Sequence, residues 1–155
     1  MIEFFFEKNL GFKKEKIKKT IEEATNLVID ELNFVKKKEF YISILLTDDR
    51  RIKQINLKYR KMNKSTNVLS FPQNVVRQFK PSKSFLILGD IVISLEKIKM
   101  ESIMQGKEFS HHLAHMVVHS ILHLCGYKHE NDKEAKIMEK KETNLLSKLF
   151  IPPPY

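Results

Sequence analysis

The sequence predicts an α+β domain with a mixed sheet of about four strands and a histidine-bearing helix across one face of that sheet. Its 155 residues, 42% of them hydrophobic, are enough for one domain with a real core, spanning residues 1–155. Four short apolar runs are typical of strands, and longer segments place apolar residues three to four positions apart, as helices do. Only 4 glycines and 5 prolines occur, which excludes a collagen-like or low-complexity chain.

The first half of the chain alternates strands and helices. Residues 2–7 are short and rich in phenylalanine, which predicts a strand, and a helical period begins after Gly11. The apolar positions of that helix are Ile17, Ile21, Ala24, Val28 and Leu32. Residues 40–46 predict a buried strand, and Asp48 and Asp49 after it are suited to cap a helix that reaches about Arg60.

Two further strands follow. Residues 68–71 predict a short strand that Pro72 ends, because proline cannot donate to a strand ladder. A loop is expected from there to residue 84. Residues 85–93 predict a strand with a local backbone irregularity at Gly89.

The rest of the chain is predicted to be helical. Ser94 is expected to cap a third helix. Residues 108–125 keep helical spacing until Gly126, a natural left-handed stop, and residues 132–149 predict a final helix.

The charge of the chain favours an anionic partner. Lysine and arginine number 28 against 19 acidic residues, a formal net charge of +9 that attracts phosphate backbones at long range. Only four of the basic residues are arginines, and a lysine-rich chain can equally have a merely solvated basic surface. On charge alone both interpretations stay open.

The sequence predicts a cytoplasmic protein with no membrane segment. No apolar run approaches the roughly 20 residues that would cross a bilayer, and the first residues lack the basic flank of a signal peptide. Cys125 is the only cysteine, so no internal disulfide can form. A reducing compartment fits this composition best.

Three histidines form a candidate metal site. His119 and His123 are four residues apart, so on a helix both imidazoles point to one side and can reach one ion. Gly126 ends the helix and lets the chain turn back, so that His129 can approach the same point. Three neutral imidazoles suit zinc and leave a fourth position open, which is typical of catalytic sites because zinc lowers the pKa of bound water to about 7. The sequence thus predicts one Zn²⁺ per chain.

The other three histidines lie earlier on the same predicted helix. His115 is one turn before His119 and can contact substrate or transfer protons, or else pack behind the ligands. His111 and His112 are expected on the exposed surface. Cys125 is expected to be a small buried hydrophobic residue, because the three histidines already suffice for the metal.

The spacing of the three histidines coincides with the pattern of metzincin proteases. In those enzymes a glutamate directly follows the first histidine and acts as the general base. Ser120 occupies that place here, and a serine hydroxyl cannot take up the proton near neutral pH. The peptidase hypothesis therefore lacks its base, whereas the metal geometry is retained.

Several blocks of the sequence resemble the YbeY family of bacterial endoribonucleases. The hallmark of that family is a histidine triad on a helix ending in Gly-Tyr-Asp-His, and similarity covers the chain from about Phe40 to its end. The matching residues are Tyr59-Arg60, Thr66 to Pro72, Leu88-Gly89-Asp90-Ile91, His119, Leu122-His123-Leu124, Gly126-Tyr127, His129, Met138, Glu142 and Pro154-Tyr155.

Three positions depart from the family pattern. Ser120 stands where glycine is usual, and Asn67 stands where aspartate is usual. Lys128 replaces an aspartate beside the histidines, and the positive charge can either weaken metal binding or strengthen the hold on phosphate.

The resemblance implies a mixed sheet sandwiched by helices, a zinc site of His119, His123 and His129, and a role for Arg60 in RNA cleavage. It also implies single-stranded ribosomal RNA precursors as substrate, in maturation of the small-subunit 3′ end and in ribosome quality control, with the ribosome or its proteins as partners. Arginine suits such a role, because a planar guanidinium can contact two phosphoryl oxygens at once. A solvated arginine at a helix end is equally common.

Two other functions stay open at this stage. One is a metallopeptidase-like zinc hydrolase with an unrecognised base, and the other is a non-catalytic ribosome assembly factor with structural zinc. The sequence does not determine the oligomeric state.

Overall fold

The computed structural model describes residues 1–32, 39–73 and 85–155. Four strands and five helices occur in these ranges, mostly at the predicted positions. The strands are β1 (Ile2–Phe6), β2 (Glu39–Thr47), β3 (Val68–Pro72) and β4 (Phe85–Ser94), and the helices are α1 (Lys14–Glu31), α2 (Asp49–Arg60), α3 (Leu95–Met104), α4 (Phe109–Leu124) and α5 (Asp132–Ser147). Along the chain β1, α1, β2 and α2 alternate, and β3, β4 and three consecutive helices follow. The loop predicted to reach residue 84 lies outside the described residues from position 74 onward.

The four strands form one mixed sheet in the order β1-β2-β4-β3. β1 and β4 both pair with β2 in parallel, while β3 pairs with β4 antiparallel. The predicted mixed sheet of about four strands is therefore confirmed. β1 and β3 are its edges, so β3 offers one unpaired side next to the helices that surround it.

Helices cover both faces of the sheet. The larger core packs Ile21 and Val28 of α1 and Val117 of α4 against Ile44 of β2 and Ile91 of β4. On the opposite face, a smaller cluster joins α2 to β3 and β4. Its buried members are Ile52, Ile55, Leu69 and Val92. The sandwich implied by the resemblance is thus confirmed.

The predicted helix signals act as expected. The Asp48 side chain caps α2 by accepting from the Arg51 backbone N–H at 2.9 Å, and Ser94 caps α3 by accepting from the Lys97 N–H at 3.2 Å. Gly126 has φ +102° after α4, in the left-handed region that favours glycine. The chain reverses there, and the Tyr127 N–H donates to the Leu122 carbonyl at 3.0 Å.

Gly89 determines how closely α4 approaches the sheet. The strand pairing shifts register beside it, as its sequence position predicted, and its φ is +142°. A Cβ atom at this position would lie 2.2 Å from the Phe71 carbonyl oxygen and 3.1 Å from a methyl group of Leu124. Only glycine therefore lets the last turn of α4, directly after His123, rest against β3 and β4.

Among the described residues, no helix combines the length and apolar character needed to span a membrane.

Candidate metal centre

The last turns of α4 bring three histidines together, as the sequence predicts. His119 and His123 project from the same side of the helix, and the turn at Gly126 returns the chain so that His129 faces them. Their ring centroids are 4.5 Å apart for His119 and His123, 4.5 Å for His123 and His129, and 5.3 Å for His119 and His129. One ring nitrogen of each lies within 4.8 Å of the other two.

The hydrogen bonds of two rings fix which nitrogen is free. Nδ1 of His119 lies 2.5 Å from Oε1 of Glu142, and Nδ1 of His123 lies 2.9 Å from the Tyr127 carbonyl oxygen. A carboxylate and a carbonyl only accept, so each Nδ1 carries the proton. In the neutral rings the Nε2 atoms then hold the lone pairs, which is the form that binds a metal.

The two Nε2 atoms of His119 and His123 lie 3.1 Å apart. Two nitrogens bound to one tetrahedral zinc at about 2.0–2.1 Å are separated by about 3.3 Å. Two lone pairs facing each other at this distance repel, whereas a cation between them is attracted by both. The donor set and its spacing therefore fit a borderline divalent ion such as zinc.

Electrostatics keep His123 in the form that can ligate. Burial lowers its pKa to about 4, with further lowering from the neighbouring charges of His119 and His129. The ring is therefore neutral at physiological pH and does not have to lose a proton before it binds a cation.

Glu142 of α5 completes the centre, although in the sequence it is only one of the residues that match the family pattern and no local spacing links it to the histidines. It is fully buried, and Oε1 accepts from His119 while Oε2 accepts from the Tyr155 hydroxyl at 2.7 Å. Burial raises the pKa of Glu142, but the interactions with His115, His119 and Tyr155 outweigh it and lower the pKa to about 2. A carboxylate that stays ionised behind a ligating histidine raises the basicity of that ligand.

His115 lies one turn before His119 and is 5% exposed. Its Nε2 is 3.7 Å from Glu142 Oε1, beyond hydrogen-bond distance, and neither ring nitrogen has a hydrogen-bond partner in the described ranges. The ring instead packs edge-on against Tyr155, with centroids 5.4 Å apart. The ring also lines a hollow of about 300 Å³ beside Pro152–Pro154, and the predicted role of His115 in contacting substrate or transferring protons stays a prediction.

The prediction that His112 lies on the exposed surface is wrong. Its ring is buried at 3% exposure, and Nε2 lies 3.2 Å from Glu101 Oε1. The same carboxylate oxygen accepts from the Asn67 side chain at 3.0 Å. Glu101 belongs to α3, so it reaches His112 only because α3 packs against α4. The spacing of residues within α4 gives no sign of this contact. His111, in contrast, is partly exposed, near Glu108.

Arg60 is held against β3, and within the described ranges no hydrogen bond, ion pair or ring contact joins it to the three histidines. Its guanidinium donates to the Ser70 carbonyl and lies over the Phe71 ring, 5.0 Å from the centroid. Since Gly89 brings Phe71 close to Leu124, Arg60 lies on the β3 side of the end of α4. The guanidinium is on an exposed residue, so it is open to an incoming anion.

Two residues beside the ligands have structural roles. Burial raises the pKa of the Cys125 thiol to about 11, so it is not a thiolate at neutral pH and does not compete as a ligand. Ser120 is completely buried, and no partner for its hydroxyl lies among the described residues. Its small size is compatible with close packing, and its burial removes it as a general base.

Comparisons with known proteins find relatives in one family. A family model described as endoribonuclease YbeY matches residues 4–150. A Bartonella quintana protein named endoribonuclease YbeY is 50% identical over 114 residues, which is 74% of this chain and 71% of that protein. A Rhodopseudomonas palustris protein of the same name is 44% identical over 114 residues, 74% of this chain and 60% of that protein.

The fold also matches a solved structure. The solution structure of the Thermotoga maritima protein TM1509 superposes with a TM-score of 0.63 at 23% identity, covering 97% of this chain and 89% of that one. At this identity the likeness supports the fold alone.

Proposed function

The chain belongs to the endoribonuclease YbeY family, and on this basis we propose that residues 1–155 act as one zinc-dependent catalytic domain that hydrolyses phosphodiester bonds in single-stranded RNA. Besides family membership, one observation on this chain supports the proposal of a zinc-dependent reaction. The rings of His119, His123 and His129 converge on one point. The Nδ1 atoms of His119 and His123 each donate to an acceptor, which leaves the Nε2 atoms of these two rings free to bind one ion. An arrangement of three protein ligands leaves room for a water or a substrate oxygen.

Zinc held by these three residues would supply Lewis-acid polarisation of a phosphoryl oxygen and lower the pKa of water. The protein groups around it have separate tasks. Glu142 and the Tyr127 carbonyl hold the protons of His119 and His123 at Nδ1 and so fix both rings. We assign His115 to the support of Glu142, because its ring is buried between that carboxylate and Tyr155.

Arg60 is proposed to stabilise the charge that develops on the phosphoryl oxygens. Its present acceptor is one neutral carbonyl, that of Ser70, and a phosphate offers two charged oxygens in the planar geometry that a guanidinium prefers. Exchange of the carbonyl for phosphate would therefore be favourable. The Phe71 ring below the guanidinium limits its orientation.

The cellular role we propose follows from the family. Maturation of the small-subunit ribosomal RNA 3′ end and ribosome quality control, in the cytoplasm and with ribosomal partners, are supported by family membership and by the net charge of +9, which suits an RNA partner. A peptidase role finds no support at Ser120, because that side chain is buried and cannot act as a base.

A combined metal and cleavage assay tests the proposal. Purified protein should contain about one zinc per chain and should cut a fluorogenic single-stranded RNA, and a chelator should abolish the cleavage. His123→Ala should lose both zinc and activity, whereas His111→Ala, four residues before His115 on the same helix, should retain zinc as the control for metal content.

The alternatives give different results. An unchanged zinc content in His123→Ala would remove the proposed site, whatever the activity. Cleavage of casein without cleavage of RNA would indicate a peptidase. Full RNA binding with no metal-dependent cleavage would indicate a non-catalytic assembly factor with structural zinc.

A further inference from the structure

We propose that the first two turns of α1 hold the phosphate backbone of RNA at a distance from the metal centre, through a surface that we call the lysine shelf. This inference rests on the proposed function, and it assigns the side on which the substrate extends. The lysine shelf consists of Lys13, Lys14, Lys16, Lys18 and Lys19.

The lysine shelf concentrates positive charge. The eleven residues 13–23 contain five lysines and three glutamates, a net charge of 5 − 3 = +2, while the eleven residues 132–142 of α5 contain four lysines and four acidic residues and are neutral. No carboxylate in the described ranges forms an ion pair with a shelf lysine. The charge is therefore available to an anionic partner.

The shelf lysines lie on two sides of α1. Lys14 and Lys18 extend over the Phe6 ring, with Nζ 5.3 Å and 6.0 Å from its centroid. Lys16 and Lys19 face the other way and, together with Glu23, line a hollow of about 350 Å³ between α1 and the start of α4, where Ser110 and His111 form the opposite wall. The two lysines outnumber the one carboxylate of this hollow. That volume is within the range of small-ligand sites.

A second hollow extends from this region towards the active centre. It has a volume of about 300 Å³, shares His111 and Ile151 with the first hollow, and extends along α4 to His115, one turn before His119. His111 and His119 are eight residues apart on α4, about 12 Å along the axis. A single strand bound at the metal must therefore run at least this far along α4 before it meets the lysine shelf. A strand of about 15 nucleotides, near the upper end of single-strand site sizes, can reach the shelf, whereas one of about 5 nucleotides centred on the metal does not.

The surroundings of α1 favour RNA over other anionic partners. An amphipathic helix binds a membrane through a free apolar face, but Ile17, Ile21 and Ala24 of α1 are buried in the core. A protein partner would need apolar anchors, whereas the shelf consists of charged side chains. A flexible phosphate chain needs only point charges spaced along its path, which lysines supply.

The test compares two double variants that change the net charge equally. Lys16→Gln/Lys19→Gln alters the shelf, and Lys53→Gln/Lys140→Gln alters exposed lysines of α2 and α5 that line neither hollow. Glutamine is a good helix former, so both should fold. Binding is measured by fluorescence anisotropy with an RNA of about 5 nucleotides and one of about 15, at several salt concentrations.

The shelf variant should bind the longer RNA about 5- to 30-fold more weakly, with a salt slope reduced by about 1.4, since each lost phosphate contact removes about 0.7 for a single strand. Affinity for the short RNA and zinc content should be unchanged. In the cleavage assay KM should rise for the longer RNA with kcat unaffected. The control variant should match the wild type in every measurement.

Wild-type affinity of the shelf variant for the longer RNA would overturn the inference and leave the proposed function standing. Equal losses in both variants would show a general charge effect and would also overturn it. Binding of vesicles with one-third anionic lipid, lost in the shelf variant while RNA binding is kept, would assign the surface to a membrane instead. Absence of RNA cleavage by the wild type would contradict the proposed function, whereas the binding comparison would still decide the shelf.

Discussion

The Tyr155 hydroxyl donates to Oε2 of Glu142 at 2.7 Å, on the carboxylate whose other oxygen accepts from His119. Burial raises the pKa of Tyr155, and the bond to Glu142 raises it further, so the hydroxyl is always the donor. The segment that carries Tyr155 is held in turn by Lys107, whose Nζ donates to the Pro154 carbonyl at 3.1 Å. A residue 26 positions after His129 in the sequence thereby orients a metal-ligating ring.

Tyr155→Phe should weaken zinc binding about three- to tenfold, because Glu142 loses one of the two donors that orient it. Competition with a chromogenic chelator measures the affinity. Tyr41→Phe is the matched control, because Tyr41 also donates to a glutamate, Glu3, but at the β1–β2 edge. An equal loss of zinc affinity in both variants would contradict a specific role of Tyr155.

Glu142→Gln should lower zinc affinity about 10- to 100-fold, the range usual for the hydrogen-bond partner of a ligating histidine. The amide oxygen can still accept from His119, but the negative charge that raises the basicity of the ring is gone. Glu139→Gln, on an exposed position one turn earlier on α5, should leave the affinity unchanged. Metal titration of the two variants in parallel gives the comparison, and equal affinities would exclude the role assigned to Glu142.

Gly89→Ala should destabilise the protein by about 2–5 kcal/mol, since the new Cβ meets the Phe71 carbonyl and the backbone is strained at positive φ. Gly11→Ala is the control, because Gly11 also has a positive φ but no atom lies within 4 Å of its added Cβ. We expect a cost of about 1–2 kcal/mol there. Urea unfolding measures the free energy of unfolding of both variants. Similar losses of stability would show that backbone strain, and not the contact with Phe71, causes the effect at Gly89.

The metal-free protein should lose stability as the pH falls below 6.5, in part through His112. Burial lowers the pKa of His112, against the raising effect of Glu101, so the folded state binds its proton less readily than the unfolded state. The stability from the neutral ring is complete above the unfolded pKa of about 6.5 and is lost as the pH falls towards the lower folded pKa. His112→Gln should therefore lose less stability between pH 7.5 and pH 5.5 than the wild type. Urea unfolding at the two pH values, with chelator present, measures this; an equal loss in both proteins would contradict it.

Arg60→Ala should lower kcat for RNA cleavage roughly 10²- to 10³-fold with little change in zinc content, if the guanidinium stabilises charge in the transition state. Arg60→Lys should recover part of the loss, because lysine keeps the charge but not the bidentate geometry. Arg50→Ala, at an exposed position of the same helix, serves as the control. A change in KM alone would assign Arg60 to substrate binding.

The sequence by itself determined the elements and the metal triad, because both depend on short-range geometry. The helical period of α1, the caps at Asp48 and Ser94 and the turn at Gly126 act within one or two turns of backbone. The four-residue spacing of His119 and His123 places both rings on one side of any α-helix, whatever that helix packs against.

Only the tertiary structure decided what surrounds the triad. Glu142 reaches His119 because α5 packs on α4, Glu101 buries the ring of His112 because α3 packs on the same helix, and Arg60 rests on Ser70 because α2 ends beside β3. In sequence, Glu142 is 23 residues from His119, Glu101 is 11 residues from His112, and Arg60 is 10 residues from Ser70. No local periodicity specifies such contacts, since they depend on how the buried faces of whole helices fit together, and that fit is set by the complete core.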